Sequence, residues 1–169
     1  YITVYSDYRY YRKHKMEVHS DTASQSNLTS VESVRIPLIS LRDGEVQSKG
    51  GLNWGQRPGR EPNQAYIQLT PDVYKSDFFP PKPQHFTVVT DDSKVFICTR
   101  AQKDENGQAI ETPHNNSLLG EYFRNRLGLA NGAYVNRLDL ERYGRVHVTF
   151  YKIDDENYLM DFSKADNHF

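Results

Sequence analysis

The chain has 169 residues, a quarter of them charged, and a formal net charge of −1; it is long enough for a core of its own, and it lacks the global basic excess of a nonspecific nucleic-acid binder. Its one cysteine excludes an internal disulfide framework and any cysteine-based zinc site, and Cys98 lies in the apolar run VFIC as expected of a core thiol. No apolar run approaches the roughly 18 residues that span a membrane and no signal peptide is evident, so a cytoplasmic protein with no membrane partner is expected.

The first 18 residues (YITVYSDYRYYRKHKMEV) crowd tyrosines and cations and carry little core, which reads as the end of an upstream domain or a link to one. A start at Tyr1 rather than Met fits a piece of something longer. Residues 19–30 are polar and read as a linker, so the boundary falls there: 1–30 tail and linker, 31–163 one domain, 164–169 a terminal tail. Val31–Leu41 predicts the first strand, with Pro37 placing it at an edge or a bulge.

The stretch Gln47–Arg60 (QSKGGLNWGQRPGR) is unlike the rest. It holds the only tryptophan, four of the ten glycines, three cations and no acid. It shows neither a two-residue nor a 3.6-residue hydrophobic period, which predicts a loop. A loop this long in a compact domain is functional or disordered, and Trp54 argues against disorder. Paired glycines would let backbone approach a ligand closely. Gln47, Lys49, Asn53, Gln56, Arg57 and Arg60 are the forked, amide and cationic donors that meet base edges and phosphates, so a nucleic-acid-reading arm is expected.

Ala65–Leu69 predicts a short strand, and Thr70-Pro71-Asp72 a helical turn with proline at its first position. Phe78 and Phe79 are expected as core plugs. Gln84–Thr90, a turn at Asp91–Lys94 and Val95–Ala101 form the clearest hairpin. Asn106-Gly107 predicts a second hairpin with an exposed tip carrying Arg100, Gln102, Lys103, Asn106 and Gln108. Leu118–Leu129 predicts a helix capped by Asn116 or Ser117, weakened at Gly128 and stopped at Asn131-Gly132. Asn136–Tyr143 predicts a second helix burying Leu138 and Leu140. Val146–Ile153 and Tyr158–Phe162 close the domain as a hairpin. About seven short strands and two helices, paired mainly as antiparallel neighbours, predict a mainly β barrel or pseudobarrel with helices at its ends.

No motif for nucleophilic, phosphate-binding or dinucleotide chemistry is present, and no two of the six histidines stand at ligand spacing. Pro71-Asp72 could begin a metal-nuclease pattern, but its only Asp-x-Lys partner, Asp92-Ser93-Lys94, falls in a turn. Binding without a cofactor or metal is therefore expected, with a metal-dependent nuclease and a protein-interaction module anchored by Trp54 as alternatives.

Four segments, GGLNWGQRPGREPNQAYIQL, HFTVVTDDSKVFICTRAQ, AIETPHNNSLLGEYFRNRLGL and RVHVTFYKIDDENYLMDF, together resemble the C-terminal domain of phospholipase-D-family type II restriction endonucleases, the NgoFVII/NgoAVII group related to BfiI. The resemblance spans 31–163. It implies a B3-like DNA-binding pseudobarrel, shared with plant B3 domains and the EcoRII effector domain, that grips the major groove of double-stranded DNA with two arms. The N-arm maps to Arg42–Asn63, with Arg42, Asp43, Gln47, Ser48, Lys49, Asn53, Trp54, Gln56, Arg57, Arg60 and Asn63 as site residues. The C-arm maps to Arg100–Glu111, with Arg100, Gln102, Lys103, Asp104, Asn106 and Gln108. Arg124, Arg126, Lys152 and Lys49 become candidate phosphate contacts, and Trp54 a brace for the arm. The family's nuclease is an N-terminal domain working through His-x-Lys motifs; this chain has none, His14-Lys15 being wrongly spaced, so no cleavage by this chain and a bacterial restriction setting are implied.

Overall fold

The computed structural model describes residues 31–102 and 107–164; the tail and linker expected over 1–30, the tip residues Lys103, Asp104 and Asn106, and residues 165–169 lie outside the described residues. Among the described residues, seven strands follow the chain: β1 Ser33–Pro37, β2 Ile67–Gln68, β3 Phe86–Thr90, β4 Val95–Ala101, β5 Ala109–Glu111, β6 His147–Lys152 and β7 Asn157–Asp161. They form one nearly closed, barrel-like sheet in the order β1-β6-β7-β3-β4-β5-β2. β1 lies at an edge, where Pro37 costs no interior ladder bond. Neighbours run antiparallel as expected, except that β3 and β7 pair in parallel, with Val88 across from Tyr158.

Side chains alternating inward fill the barrel: Ile36, Val88, Cys98, Val148, Phe150 and Tyr158 are buried. Burial pushes the Cys98 thiol well above its ordinary pKa, as fits an inert core thiol. Phe79 plugs the core as predicted, its ring 5.4 Å from Phe86, 5.1 Å from Phe150 and 5.1 Å from Tyr158.

The described residues hold four helical segments, where two helices and a helical turn at Thr70-Pro71-Asp72 were expected. The addition is a 3-10 helix, Gly51–Gln56, inside the stretch predicted as loop; the predicted turn is the single-turn α1, Pro71–Tyr74, with Pro71 at its first position. α2 spans Leu118–Leu127 and α3 spans Arg137–Tyr143. α2 stops earlier than predicted. Gly128 takes the left-handed conformation (φ 72°), and Leu129 N–H then closes onto the Arg124 carbonyl at 2.8 Å, so Asn131-Gly132 is not needed as the stop. Asn136 caps α3 through a reciprocal box with Asp139, the two bonds 3.0 and 2.9 Å long. Leu140 is buried as predicted but Leu138 is half exposed, because two residues along a helix turn the side chain to the opposite face.

Arg126, expected on a solvated face or at a phosphate, is instead the bolt between α2 and the β3–β4 turn. Its guanidinium lies 2.9 Å from Asp91 and 3.1 Å from Asp92, and donates to Tyr122 Oη, Tyr143 Oη and the Phe162 carbonyl. Burial opposes its charge, but the Asp91 hydrogen bond and the surrounding acids hold its pKa above the usual guanidinium value. Lys152, another expected phosphate contact, donates to the Asp77 carbonyl at 3.3 Å and lies 3.8 Å from Asp155.

Candidate nucleic-acid interface

After β1 the chain makes a tight loop. Ser40 N–H donates to the Glu45 carbonyl (2.7 Å) and Gly44 N–H to the Ser40 carbonyl (2.8 Å), and Arg137 reaches over from α3 to the Gly44 carbonyl (2.8 Å). Leu41, Arg42 and Asp43 project from this loop and are exposed. Val46 is buried and pins the chain, and Gln47, Ser48 and Lys49 are exposed before the 3-10 helix begins.

The 3-10 helix escaped the period test because its inward residues do not repeat at 3.6 and one of them is polar. Leu52 and Asn53 are both buried. Asn53, expected to read a base, spends its amide inside the protein. Its Nδ2 donates to the carbonyls of Val135 (2.7 Å) and Gln47 (2.9 Å), and its Oδ1 accepts from Val135 N–H (2.9 Å). Asn63 is likewise turned inward, its Oδ1 accepting from Gly132 N–H at 2.7 Å. Gln56 donates to the Gly132 carbonyl at 3.1 Å. These side chains clamp the arm to the connection between α2 and α3, so the expectation that Asn53 and Asn63 contact DNA is corrected: a side chain with its donors and acceptors committed in the interior has none to offer.

Arg124 completes the clamp. It is fully buried and donates to the carbonyls of Ala133 (2.8 Å), Leu52 (3.2 Å) and Gly120 (3.3 Å), joining α2, the 3-10 helix and the α2–α3 connection. Burial lowers its pKa while the nearby Glu61 raises it, the net direction being down. It cannot serve as the phosphate contact expected of it. Gly120 permits the close fit: a Cβ there would overlap the Asn63 carbonyl. A Cβ on Gly55 would likewise collide with the carbonyls of Glu61 and Pro62, less severely. Gly55, the arm's glycine at these contacts, thus serves packing within the protein rather than approach to a ligand.

The outer face carries the accessible chemistry. Lys49, Arg57 and Arg60 are exposed. Arg57 Nε donates to the Lys49 carbonyl at 2.8 Å. The Arg60 guanidinium lies 3.9 Å from the centre of the Trp54 ring and donates to Gln64 Oε1 at 2.9 Å. Trp54 stands edge-to-face on Tyr66 at 5.4 Å, so it ties the arm to the residue that leads into β2, as a brace does.

The second arm leaves the sheet from β4 and returns through β5. Arg100, expected at its tip, is buried at its root. Its Nε donates to the Gly107 carbonyl (3.1 Å), and its terminal nitrogens reach the carbonyls of Phe79 and Tyr74. Burial lowers its pKa. Its position in β4 explains the correction: the register Arg100↔Ile110 keeps it within the paired part of the hairpin. Gln102 is exposed in a left-handed conformation (φ 77°), with its carbonyl held by Lys82 Nζ at 2.8 Å. Lys82 was missed in the sequence because its neighbours, Pro80-Pro81 and Pro83, read as a structural turn.

The arms share a root. β2, where the first returns, pairs with β5, where the second returns, through Ile67↔Ile110 and Gln68↔Ala109. The Gln108 carbonyl accepts from both Leu69 N–H (2.9 Å) and Gln68 Nε2 (3.0 Å). Glu111, at the end of β5, has its pKa raised by burial against the opposing pull of Lys82 and Arg60, one cation from beside each arm. Among the described residues, no three His, Cys, Asp or Glu side chains gather closely enough to hold a metal ion, and no helix is long and apolar enough to cross a membrane.

Compared with known families, residues 23–154 match the model of the NgoFVII C-terminal B3-like DNA-binding domain. No curated protein matches the chain significantly.

Proposed function

From the premise that the chain belongs to the NgoFVII C-terminal B3-like DNA-binding domain family, we propose that it reads a short, specific sequence in duplex DNA with two arms laid in the major groove, and so directs a restriction endonuclease to its site. The observation that carries this reading is the common root of the arms: the strands by which they return are tied side by side by the β2·β5 pairing and the Gln108 carbonyl, as suits two probes of one groove. The major groove is the target because only there do all four base pairs present distinct patterns.

The proposed N-arm contacts are the exposed Arg42, Asp43, Gln47, Ser48, Lys49, Arg57 and Arg60. From the C-arm come Gln102 and Gln108, with Lys103, Asp104 and Asn106 proposed on sequence alone. Arginine or lysine donates to guanine O6 and N7, an amide pairs with adenine, and aspartate accepts from cytosine N4. Lys49 is the one expected phosphate contact whose side chain is exposed. With the net charge near zero, the attraction to DNA must be local to this face. The chain supplies recognition, and cleavage belongs to a separate N-terminal nuclease domain.

Selection of bound duplexes from a random pool tests the proposal. A single enriched short motif is expected; an unenriched pool after several rounds would overturn it. Incubation with the selected duplex and magnesium, with and without a chelator, should leave the DNA intact. Arg57→Ala should weaken binding to the selected site by about 1–3 kcal/mol while leaving nonspecific binding nearly unchanged. Equal losses on both would reduce Arg57 to a phosphate contact.

A further inference from the structure

The N-arm turns back through Arg57-Pro58-Gly59-Arg60, four residues that are all exposed. Arg60 N–H donates to the Arg57 carbonyl at 3.2 Å, and Gly59 takes a left-handed φ of 83°. Proline cannot hold a positive φ, so this is a type II turn, with Pro58 fixing its first central position and Gly59 supplying its second. The turn sets two arginines at its two ends, their Cα atoms within about 7 Å of each other. Each guanidinium is pinned at one part and open at another. Arg57 is held through Nε on the Lys49 carbonyl at 2.8 Å. Arg60 is held through Nη1 on Gln64 Oε1 at 2.9 Å, with its guanidinium 3.9 Å from the centre of the Trp54 ring. No other hydrogen bond among the described residues takes the Nη1–Nη2 edge of Arg57 or the Nε–Nη2 edge of Arg60. Arg42 and Lys49, exposed on the same arm, have no side-chain hydrogen bond among the described residues.

We infer that this turn is the guanine reader of the N-arm: each arginine gives its remaining pair of donors to O6 and N7 of one guanine, and the recognised sequence carries two guanines within about two base steps of each other. The inference rests on the DNA-reading proposal above. Three arguments carry it. A forked guanidinium matches two acceptors side by side, and in the major groove guanine is the base that offers them. Pinning favours a base over a phosphate. A phosphate is served by a freely moving cation such as Lys49 or Arg42, whereas a base edge needs donors at a set height and angle. A side chain already fixed also loses less freedom on binding. The turn then sets the spacing, since ends within about 7 Å of each other suit two steps or fewer of a stack that rises about 3.4 Å per base. Two arginines can read two successive guanines in this way. Trp54, Gln64 and Gly59 are positioning residues: they act through Arg60 and the turn and touch no base.

The test uses the full 169-residue chain and the duplex it selects. Each guanine of the site is replaced in turn by 7-deazaguanine, which pairs normally but lacks the N7 acceptor. At two guanines no more than about two steps apart, the replacement should weaken binding about tenfold. Arg57→Lys should abolish the response at one of them and Arg60→Lys at the other, each variant keeping its charge at an exposed position. Gln64→Met removes the acceptor that holds Arg60. It should lower the preference for guanine over adenine at the position Arg60 reads several-fold, with little change on random duplex. Gln64→Glu, which keeps an acceptor there, should retain the preference. If either arginine variant leaves the response of every guanine unchanged, the inference is overturned. It is overturned equally if the two responding guanines lie further apart, or if the selected site holds no such pair. In each of these cases site-specific binding persists and the recognition proposal stands, whereas failure to select any site would sink both.

Discussion

Arg124→Met should lower stability by about 3–5 kcal/mol, among the largest effects of any single replacement in this domain. The guanidinium is fully buried and serves three carbonyls on three different segments. Methionine keeps much of the volume and removes the cost of burying a charge, which offsets part of the loss. It cannot donate, and the carbonyls of Leu52, Gly120 and Ala133 are left with fewer partners, at about 1–3 kcal/mol for each buried group that water cannot reach. The midpoint of thermal unfolding should fall by on the order of 10–20 °C. Urea unfolding followed by circular dichroism measures this directly; a loss below about 1 kcal/mol would mean that solvent enters the clamp and takes over the arginine's role.

Asn53→Ala should separate arm geometry from fold. The side chain makes bonds in both directions to Val135 and one to Gln47, all within 2.9 Å. Deletion should cost about 2–4 kcal/mol, because the Val135 N–H and C=O lose their partners in a buried site. The barrel strands do not depend on this residue, so folded protein should persist in the cold. What changes is the seat of the 3-10 helix, and with it the placement of Lys49, Arg57 and Arg60. Binding to the selected duplex should fall at least tenfold while binding to random duplex changes little, since a misplaced cation still finds a phosphate but not a base edge. Asn53→Asp, equal in size, should be no better: it keeps the acceptor for Val135 N–H but aims a carboxylate at two carbonyls. An unchanged ratio of specific to random binding in both variants would show that the clamp does not position the arm.

These two residues also mark where the sequence was legible. His147–Lys152 was visible because its residues alternate, and Phe86–Thr90 because the turn at Asp91–Lys94 set it against the apolar run Val95–Ala101. The Asn136 cap was visible because its geometry is local. The arm was found by what it lacked, a hydrophobic period, and its cations Lys49, Arg57 and Arg60 are exposed. The inner residues were not separable from the outer ones. Asn53 and Gln47, or Arg57 and Arg100, are chemically the same kind of donor; which of them faces inward is fixed by partners such as Val135 and Phe79, far away in the chain. Donor-rich stretches therefore announce a polar network without saying whether protein or DNA completes it. Arg126 was misread for the same reason, its acids coming from a distant turn.

The parallel pairing of β3 with β7 bears on how the domain is made. β7 is the last strand among the described residues, lies beyond the residues matched by the family, and yet sits inside the sheet between β6 and β3. During synthesis β3 can form its hairpin with β4 at once, but one flank of it stays open until Asn157–Asp161 has left the ribosome. Such late, long-range closure slows folding, because the entropy of a large loop is lost before the contacts that repay it form. Until then an interior strand behaves as an unprotected edge, open to wrong partners. Ending the chain at residue 154, where the family match stops, would make that transient exposure permanent.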